Sequence, residues 1–101
     1  MRRSDYSINE VTRMVATYEQ LRESASTRPG RGLYNLARLA DLDKALGQLS
    51  LDRYRVVLVH GLLGVTQQDT AEALHISQQA VGKRFRYAIE DLHFHMNGGE
   101  L

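Results

Sequence analysis

Apolar residues recur at steps of three and four along most of the chain, which is the spacing of one helix face. In the first such stretch the apolar positions are Ile8, Val11, Met14, Val15, Tyr18 and Leu21. Ser7 and Glu10 before them form the pattern of a capping box. The pattern predicts a single amphipathic helix over residues 7–24, preceded by a short basic arm at residues 1–6.

Residues 24–32 predict a linker, because they contain the chain's single proline and two glycines and no large apolar residue. Helical spacing resumes after it and predicts a second helix over 33–48. Its apolar positions are Leu33, Leu36, Ala37, Leu39, Ala40, Leu42, Ala45, Leu46 and Leu49. So many apolar positions indicate a helix that is covered on more than one side.

A third helix is predicted over 51–63, with Ser50 as its cap. Four consecutive apolar residues, Val56 to Val59, would also suit a buried strand. We favour the helix because the chain offers no second strand, and an unpaired strand would leave its backbone groups without hydrogen bonds. Gly61 and Gly64 stand where the helix would end.

Two further helices, over 67–74 and 78–93, are joined by a very short turn. Thr66 and Ser77 stand at the cap positions, and only His75 and Ile76 separate Leu74 from the second cap. A turn this short forces the helices to cross steeply, with small and apolar residues at the crossing. Ala71, Leu74, Ile76 and Val81 supply them. The arrangement is typical of a helix-turn-helix, whose second helix normally lies in the DNA major groove.

The turn residue His75 stands where glycine would fit most easily. Its backbone is expected to adopt a left-handed or otherwise restricted conformation, which histidine tolerates better than β-branched residues do.

The second of these helices has two chemically different faces. Its apolar side comprises Val81, Phe85, Ala88, Ile89 and Leu92, and its polar side comprises Gln78, Gln79, Gly82, Lys83 and Arg86. Glutamine pairs with N6 and N7 of adenine, and lysine or arginine donates to O6 and N7 of guanine. Gly82 would let the backbone approach the duplex. The alternative is an ordinary αα-hairpin with a solvated polar face.

Composition narrows the remaining choices. Thirteen Lys and Arg against twelve Asp and Glu leave a net charge of +1, so DNA affinity must come from local clusters of cations. The chain has no cysteine and no apolar run of membrane-spanning length, and its start does not resemble a signal peptide. We therefore expect an all-α, cytoplasmic protein without membrane contact: a small helical domain with a C-terminal helix-turn-helix and an N-terminal amphipathic helix.

No residue pattern indicates catalysis or a cofactor. His93 and His95 form a His-x-His pair, but without cysteine or a clear carboxylate partner such a pair is more often an ordinary surface feature than a metal site. The sequence also lacks a phosphate-binding glycine loop. It predicts neither an enzyme nor a bound metal.

From about Leu42 to Leu92 the chain resembles region 4 of bacterial sigma factors and the related phage and bacterial regulators. The matching residues are Leu46, Leu49, Arg53, Val56, Val57, Leu58, Gly64, Val65, Thr66, Ala71, Glu72, Leu74, Ile76, Ser77, Val81, Arg84, Ala88 and Leu92. The resemblance implies base contacts from Gln78, Gln79, Lys83 and Arg86. It further implies a phosphate contact or a structural ion pair for Arg84, and contact with RNA polymerase. His75 in place of the family's turn glycine, and Thr70 in place of an aliphatic residue, are departures from the pattern.

These observations predict a sequence-specific DNA-binding transcription regulator, of phage or bacterial type, that binds double-stranded DNA. The predicted DNA contacts are Thr66, Ser77, Gln78, Gln79, Gly82, Lys83, Arg84 and Arg86. Residues 33–93 would form the DNA-binding domain and 94–101 a tail. The alternatives are a DNA-recognition subunit of a larger machine, such as a phage terminase small subunit, and an RNA polymerase-binding module.

A homodimer is predicted as well, because one small reading helix on a chain of low net charge gathers few phosphate contacts. Residues 1–32 would provide the contact through the stripe Ile8, Val11, Val15 and Tyr18. In the alternative, this stripe packs onto residues 33–49 of its own chain.

Overall fold

The structure, a computed structural model, describes residues 6–27 and 31–99, without the side chains of residues 26, 27 and 31–33. Its helices are α1 (Ile8–Ala16), α2 (Tyr18–Thr27), α3 (Arg31–Leu46), α4 (Leu51–Val56), α5 (Gln67–Leu74) and α6 (Gln78–Met96), and α4 continues as a π-helix over Val57–Leu62. These residues include no strand, so the predicted all-α class is confirmed. None of the helices within the described ranges is long and apolar enough to cross a membrane. The basic arm, apart from Tyr6, lies outside the described residues.

The predicted first helix is in fact two helices. Thr17 ends α1 with φ −115° and ψ 32°, and its hydroxyl donates to the carbonyl oxygen of Arg13 at 2.8 Å. A hydroxyl that bonds back to the preceding turn is a common cause of helix bending. Beyond the break, α2 continues to Thr27 and packs along α3, where Asn35 Nδ2 donates to Ser24 Oγ at 2.5 Å. The linker predicted over 24–32 is therefore helical at both ends, and residues 28–30 lie outside the described part.

The stripe predicted to form a dimer lies largely inside the chain's own core. Val11 and Val15 are 0% and 1% exposed, and they belong to one apolar cluster with Leu42 and Leu92. Tyr18 packs against the same cluster, which leaves Ile8 as the exposed member. The prediction of a dimer contact at this stripe is therefore corrected, because Val11 and Val15 are buried within their own chain and have no exposed surface for a partner. The stripe faces α6 and the π-helix as well as residues of α3.

The segment 51–63 is helical, as predicted, but its second half is wound as a π-helix. In its last turn the Leu63 amide donates to the carbonyl oxygen of Leu58 at 2.9 Å, a five-residue step. Gly61 lies where this segment meets α1 and α6. A Cβ at Gly61 would stand 2.7 Å from Val15 Cγ1 and 3.0 Å from Phe85 Cε1, so the close packing here requires glycine.

The C-terminal end is more ordered than the predicted tail, because α6 continues to Met96, whose side chain is buried in the core. Asn97 then joins the two ends of the described chain. Its Oδ1 accepts from the Tyr6 amide at 2.7 Å and its Nδ2 donates to the Tyr6 carbonyl oxygen at 3.0 Å. The Tyr6 hydroxyl donates to Asp41 Oδ2 at 2.7 Å. Burial is the largest cause that raises the pKa of Tyr6 well above its usual range, and this hydrogen bond is the next largest.

Candidate nucleic-acid interface

The bend between α5 and α6 is built by two side-chain caps and one left-handed residue. Thr66 Oγ1 accepts from the Asp69 amide at 3.0 Å, and Ser77 Oγ accepts from the Ala80 amide at 3.0 Å. Between them His75 has φ 60° and ψ 44°, which confirms the left-handed turn expected from the sequence. Each capping hydroxyl accepts in these bonds and keeps its own hydrogen for a further acceptor, such as a phosphate oxygen.

A small apolar cluster supports the bend from below. Its buried members are Val56, Ala71 and Val81, with Leu74, Ile76 and Phe85 packed against them. Thr70, which departs from the aliphatic pattern, is fully buried beside this cluster, and its hydroxyl lies 3.5 Å from the carbonyl oxygen of Val65. The hairpin therefore packs against the end of α4, and few apolar contacts set the angle at which α5 and α6 cross.

Four predicted DNA contacts share the exposed side of α6, and we call them the reading face: Gln78, Gln79, Lys83 and Arg86. Arg84 is half-buried at its edge. Within the described part of the chain no carboxylate pairs with Lys83, Arg84 or Arg86. The described residues therefore form no ion pair with Arg84, and its phosphate contact stays a prediction. No neighbouring carboxylate of the described residues therefore competes with a polyanion for these cations.

A groove of about 600 Å³ runs beside the reading face, between the start of α4 and the side of α6. Its lining consists of Ser50, Asp52, Arg53, Ala80, Lys83, Arg84 and Tyr87. Arg53 Nη1 is paired with Asp91, and its guanidinium lies 5.3 Å from the centre of the Tyr87 ring. Arg86 approaches the same ring at 5.1 Å. Sequence reasoning treated Arg53 as a support residue and missed this cluster, because its partners are far away in the sequence.

Gly82 has a neighbour that the sequence did not reveal. Gln67, the first residue of α5, donates from Nε2 to the carbonyl oxygen of Gln78 at 2.6 Å. A Cβ at position 82 would stand 3.0 Å from that same Nε2. Gly82 therefore leaves room for Gln67, whereas its predicted role, close approach to the duplex, stays a prediction.

Residues suited to metal binding are not grouped in the structure. Over residues 6–27 and 31–99, no three His, Cys, Asp or Glu side chains lie close enough to hold one ion. His95 of the His-x-His pair instead places Nδ1 3.3 Å from the carbonyl oxygen of Gly99. The reading face itself carries amide and cationic side chains.

Comparison with known proteins agrees with this geometry. The family model described as Sigma-70, region 4 matches residues 39–92, more than half of the 101-residue chain. The match runs from within α3 to within α6, and it includes α5, the turn and α6 as far as Leu92. Neither a curated protein nor a solved structure matches the chain significantly. Helix-turn-helix domains of this family bind DNA and are not enzymes. The chain belongs to the sigma-70 region 4 family.

Proposed function

We propose that this protein is a sequence-specific transcription regulator that places residues 78–92 of α6 in the DNA major groove. The observation that carries the proposal is the reading face, an exposed set of amide and cationic side chains on the second helix of a capped helix-turn-helix. Membership of a DNA-binding family supports it. In the predicted alternative, an ordinary solvated hairpin, water alone solvates Lys83 and Arg86, and substitution of Lys83 would leave DNA binding unchanged.

The dimensions of the reading face suit a short recognition site. Gln79, Lys83 and Arg86 follow at helical spacing, and with a rise of about 1.5 Å per residue they span about 10 Å along the axis. That length corresponds to roughly three base pairs. In this proposal Gln79 pairs with adenine while Lys83 donates to a guanine or to a phosphate. The hydroxyls of Thr66 and Ser77, together with Arg84, contact phosphates at the margin of the site.

Two substitutions on α6 test the proposal against selected and random duplexes. A DNA site is first selected from a random pool, and affinities are then measured by fluorescence anisotropy at several salt concentrations. Gln79→Ala should weaken binding to the selected site by about 1–3 kcal/mol and leave random duplex almost unaffected, since a base contact is lost. If Lys83 contacts a phosphate, Lys83→Ala should weaken binding to the selected site and to random duplex equally. Its affinity should also depend less steeply on salt concentration.

Matched controls lie on exposed positions of other helices, outside the reading face. Gln20→Ala in α2 and Lys44→Ala in α3 remove the same side-chain types. Both should bind like wild type. Equal affinities for all five proteins would mean that this side of α6 does not contact DNA.

These experiments, together with a binding assay with core RNA polymerase and transcription from the selected site, separate the competing functions. A protein that binds no duplex but binds core RNA polymerase would be an interaction module, contrary to the proposal. Homodimerisation stays a prediction, and it would use a surface other than the buried stripe. A dimer would appear as a palindromic selected site. A specific site without regulatory effect on transcription would favour the DNA-recognition subunit of a larger machine.

A further inference from the structure

Gln67 makes a contact that links the two helices of the hairpin at the end nearest the reading face. Its side chain is exposed, yet its amide nitrogen lies 2.6 Å from the carbonyl oxygen of Gln78, the first residue of α6. Besides the apolar cluster under the bend, the turn itself is held by backbone hydrogen bonds, such as that from the Ile76 amide to the Ala71 carbonyl oxygen at 3.0 Å. The hydrogen bond from Gln67 therefore joins α5 to α6 outside the turn, at the residue next to Gln79.

Gly82 is the partner that makes this contact possible. Glycine inside a helix is unfavourable for the helix itself, so its presence at the fifth residue of α6 calls for a local reason. The structure supplies one, because a Cβ there would stand 3.0 Å from Gln67 Nε2, closer than side chains normally pack. An alanine at this position would require the flexible end of the Gln67 side chain to shift by a few tenths of an ångström, which would disturb its hydrogen bond with the carbonyl oxygen of Gln78.

We propose that Gln67 is a positioning residue that fixes the orientation of α6 relative to α5 and thereby sets DNA specificity. This inference rests on the proposed function. Base-edge hydrogen bonds require side chains to be held within about 0.5 Å of their productive positions. The main core holds the later turns of α6, whereas the apolar contacts at the bend itself belong to the small cluster around Val56, Ala71 and Val81. A small cluster resists a change in the crossing angle of α5 and α6 less than a large core would. The hydrogen bond from Gln67 acts directly on the residue that precedes Gln79.

The first test compares Gln67→Ala with Gln68→Ala, its exposed neighbour on α5. Affinity is measured for the selected site and for random duplex, and thermal unfolding is recorded for each variant. Gln67→Ala should lower the ratio of specific to random affinity by about tenfold, with random binding and the unfolding midpoint almost unchanged. Gln68→Ala should behave like wild type. A purely structural side chain would change the midpoint and not the ratio.

The second test uses Gly82→Ala alone and combined with Gln67→Ala. Gly82→Ala should lower the specificity ratio in the same direction as Gln67→Ala but by less, because Gln67 is displaced and not removed. Alanine favours the helix and should not lower the unfolding midpoint. The double variant should be no worse than Gln67→Ala, because the added methyl group then meets no side chain. A further loss in the double variant would mean that Gly82 serves close approach to DNA, and would overturn its pairing with Gln67.

The remaining outcomes are distinct from one another. If wild type binds its selected site and the Gln67→Ala variant has the same specificity ratio, this inference is overturned. The proposed function then still stands. An equal loss on selected and random DNA would make Gln67 a phosphate contact, and also overturns it. Wild type that shows no DNA binding at all overturns the proposed function together with this inference.

Discussion

His75 carries a conformation that normally belongs to glycine. A residue with a Cβ in the left-handed region is less favourable by roughly 1–2 kcal/mol, and His75 adopts φ 60° at the turn between α5 and α6. Histidine at this position therefore lowers the stability of a bend that the fold requires. The side chain is exposed, so substitutions here test the backbone rather than the packing.

We predict that His75→Gly raises the free energy of unfolding by about 0.5–1 kcal/mol, because the strain is relieved while the unfolded chain gains some freedom. His75→Val should lower it, since a β-branched residue fits the left-handed region less well than histidine does. Urea unfolding followed by circular dichroism measures both. A glycine variant less stable than wild type would show that the His75 side chain contributes more than its backbone costs.

Helix contacts at Gly61 join the π-helix to α1 and α6. The glycine allows Val15 and Phe85 to approach the backbone more closely than any Cβ would permit. His60 beside it is also held, because its Nδ1 lies 2.7 Å from the carbonyl oxygen of Val65 and its ring meets Phe85 edge-on. The π-helix is therefore one of the elements that attach the helix-turn-helix to the N-terminal half, in addition to the direct contacts of α1 and α3 with α6.

Substitution of Gly61 should accordingly be costly. Gly61→Ala is expected to lower the free energy of unfolding by about 1–3 kcal/mol through overpacking. The matched control is Gly47→Ala, because a Cβ there would lie 3.5 Å from the nearest atom, the Lys44 carbonyl oxygen, in ordinary contact. Chemical denaturation of the two variants decides the matter. If both were as stable as wild type, α1 would not be packed as described.

The molecule as a whole has one main core to which both halves of the chain contribute. Val11, Val15 and Leu21 from the N-terminal helices pack in the same cluster as Leu42 and Leu92. The family match begins only at residue 39, so helices outside the match help to bury the apolar side of the matched region. The N-terminal half is therefore expected to support the DNA-binding half directly.

We predict that Val15→Asp unfolds the protein, because an uncompensated buried charge costs about 3–5 kcal/mol. Ile8→Asp is the matched control, since Ile8 belongs to the same stripe but is 40% exposed. It should remain folded. Circular dichroism and light scattering on the full chain give the result. A folded Val15→Asp variant with half the mass of wild type would instead restore the stripe as a dimer interface.

Features that depend on neighbouring residues could be predicted from the sequence. The caps at Ser7, Ser50, Thr66 and Ser77 and the left-handed turn at His75 agree with the structure. So do the bounds of α5 and the division of α6 into an apolar and an exposed polar side. Each depends on hydrogen bonds or periodicity within one or two helical turns, which the local order of residues specifies.

Features that join distant parts of the chain depend on tertiary contacts. Sequence patterning identified the apolar stripe of α1 but could not show that it is covered by α6 and the π-helix, because an apolar face can pack equally well on its own chain or on a partner. Tyr6 meets Asn97 across 91 positions, and Arg53 meets Asp91 across 38. The contact between Gln67 and Gly82 likewise exists only once the two helices cross. Such pairs follow from the geometry of packed helices, and no local spacing specifies them.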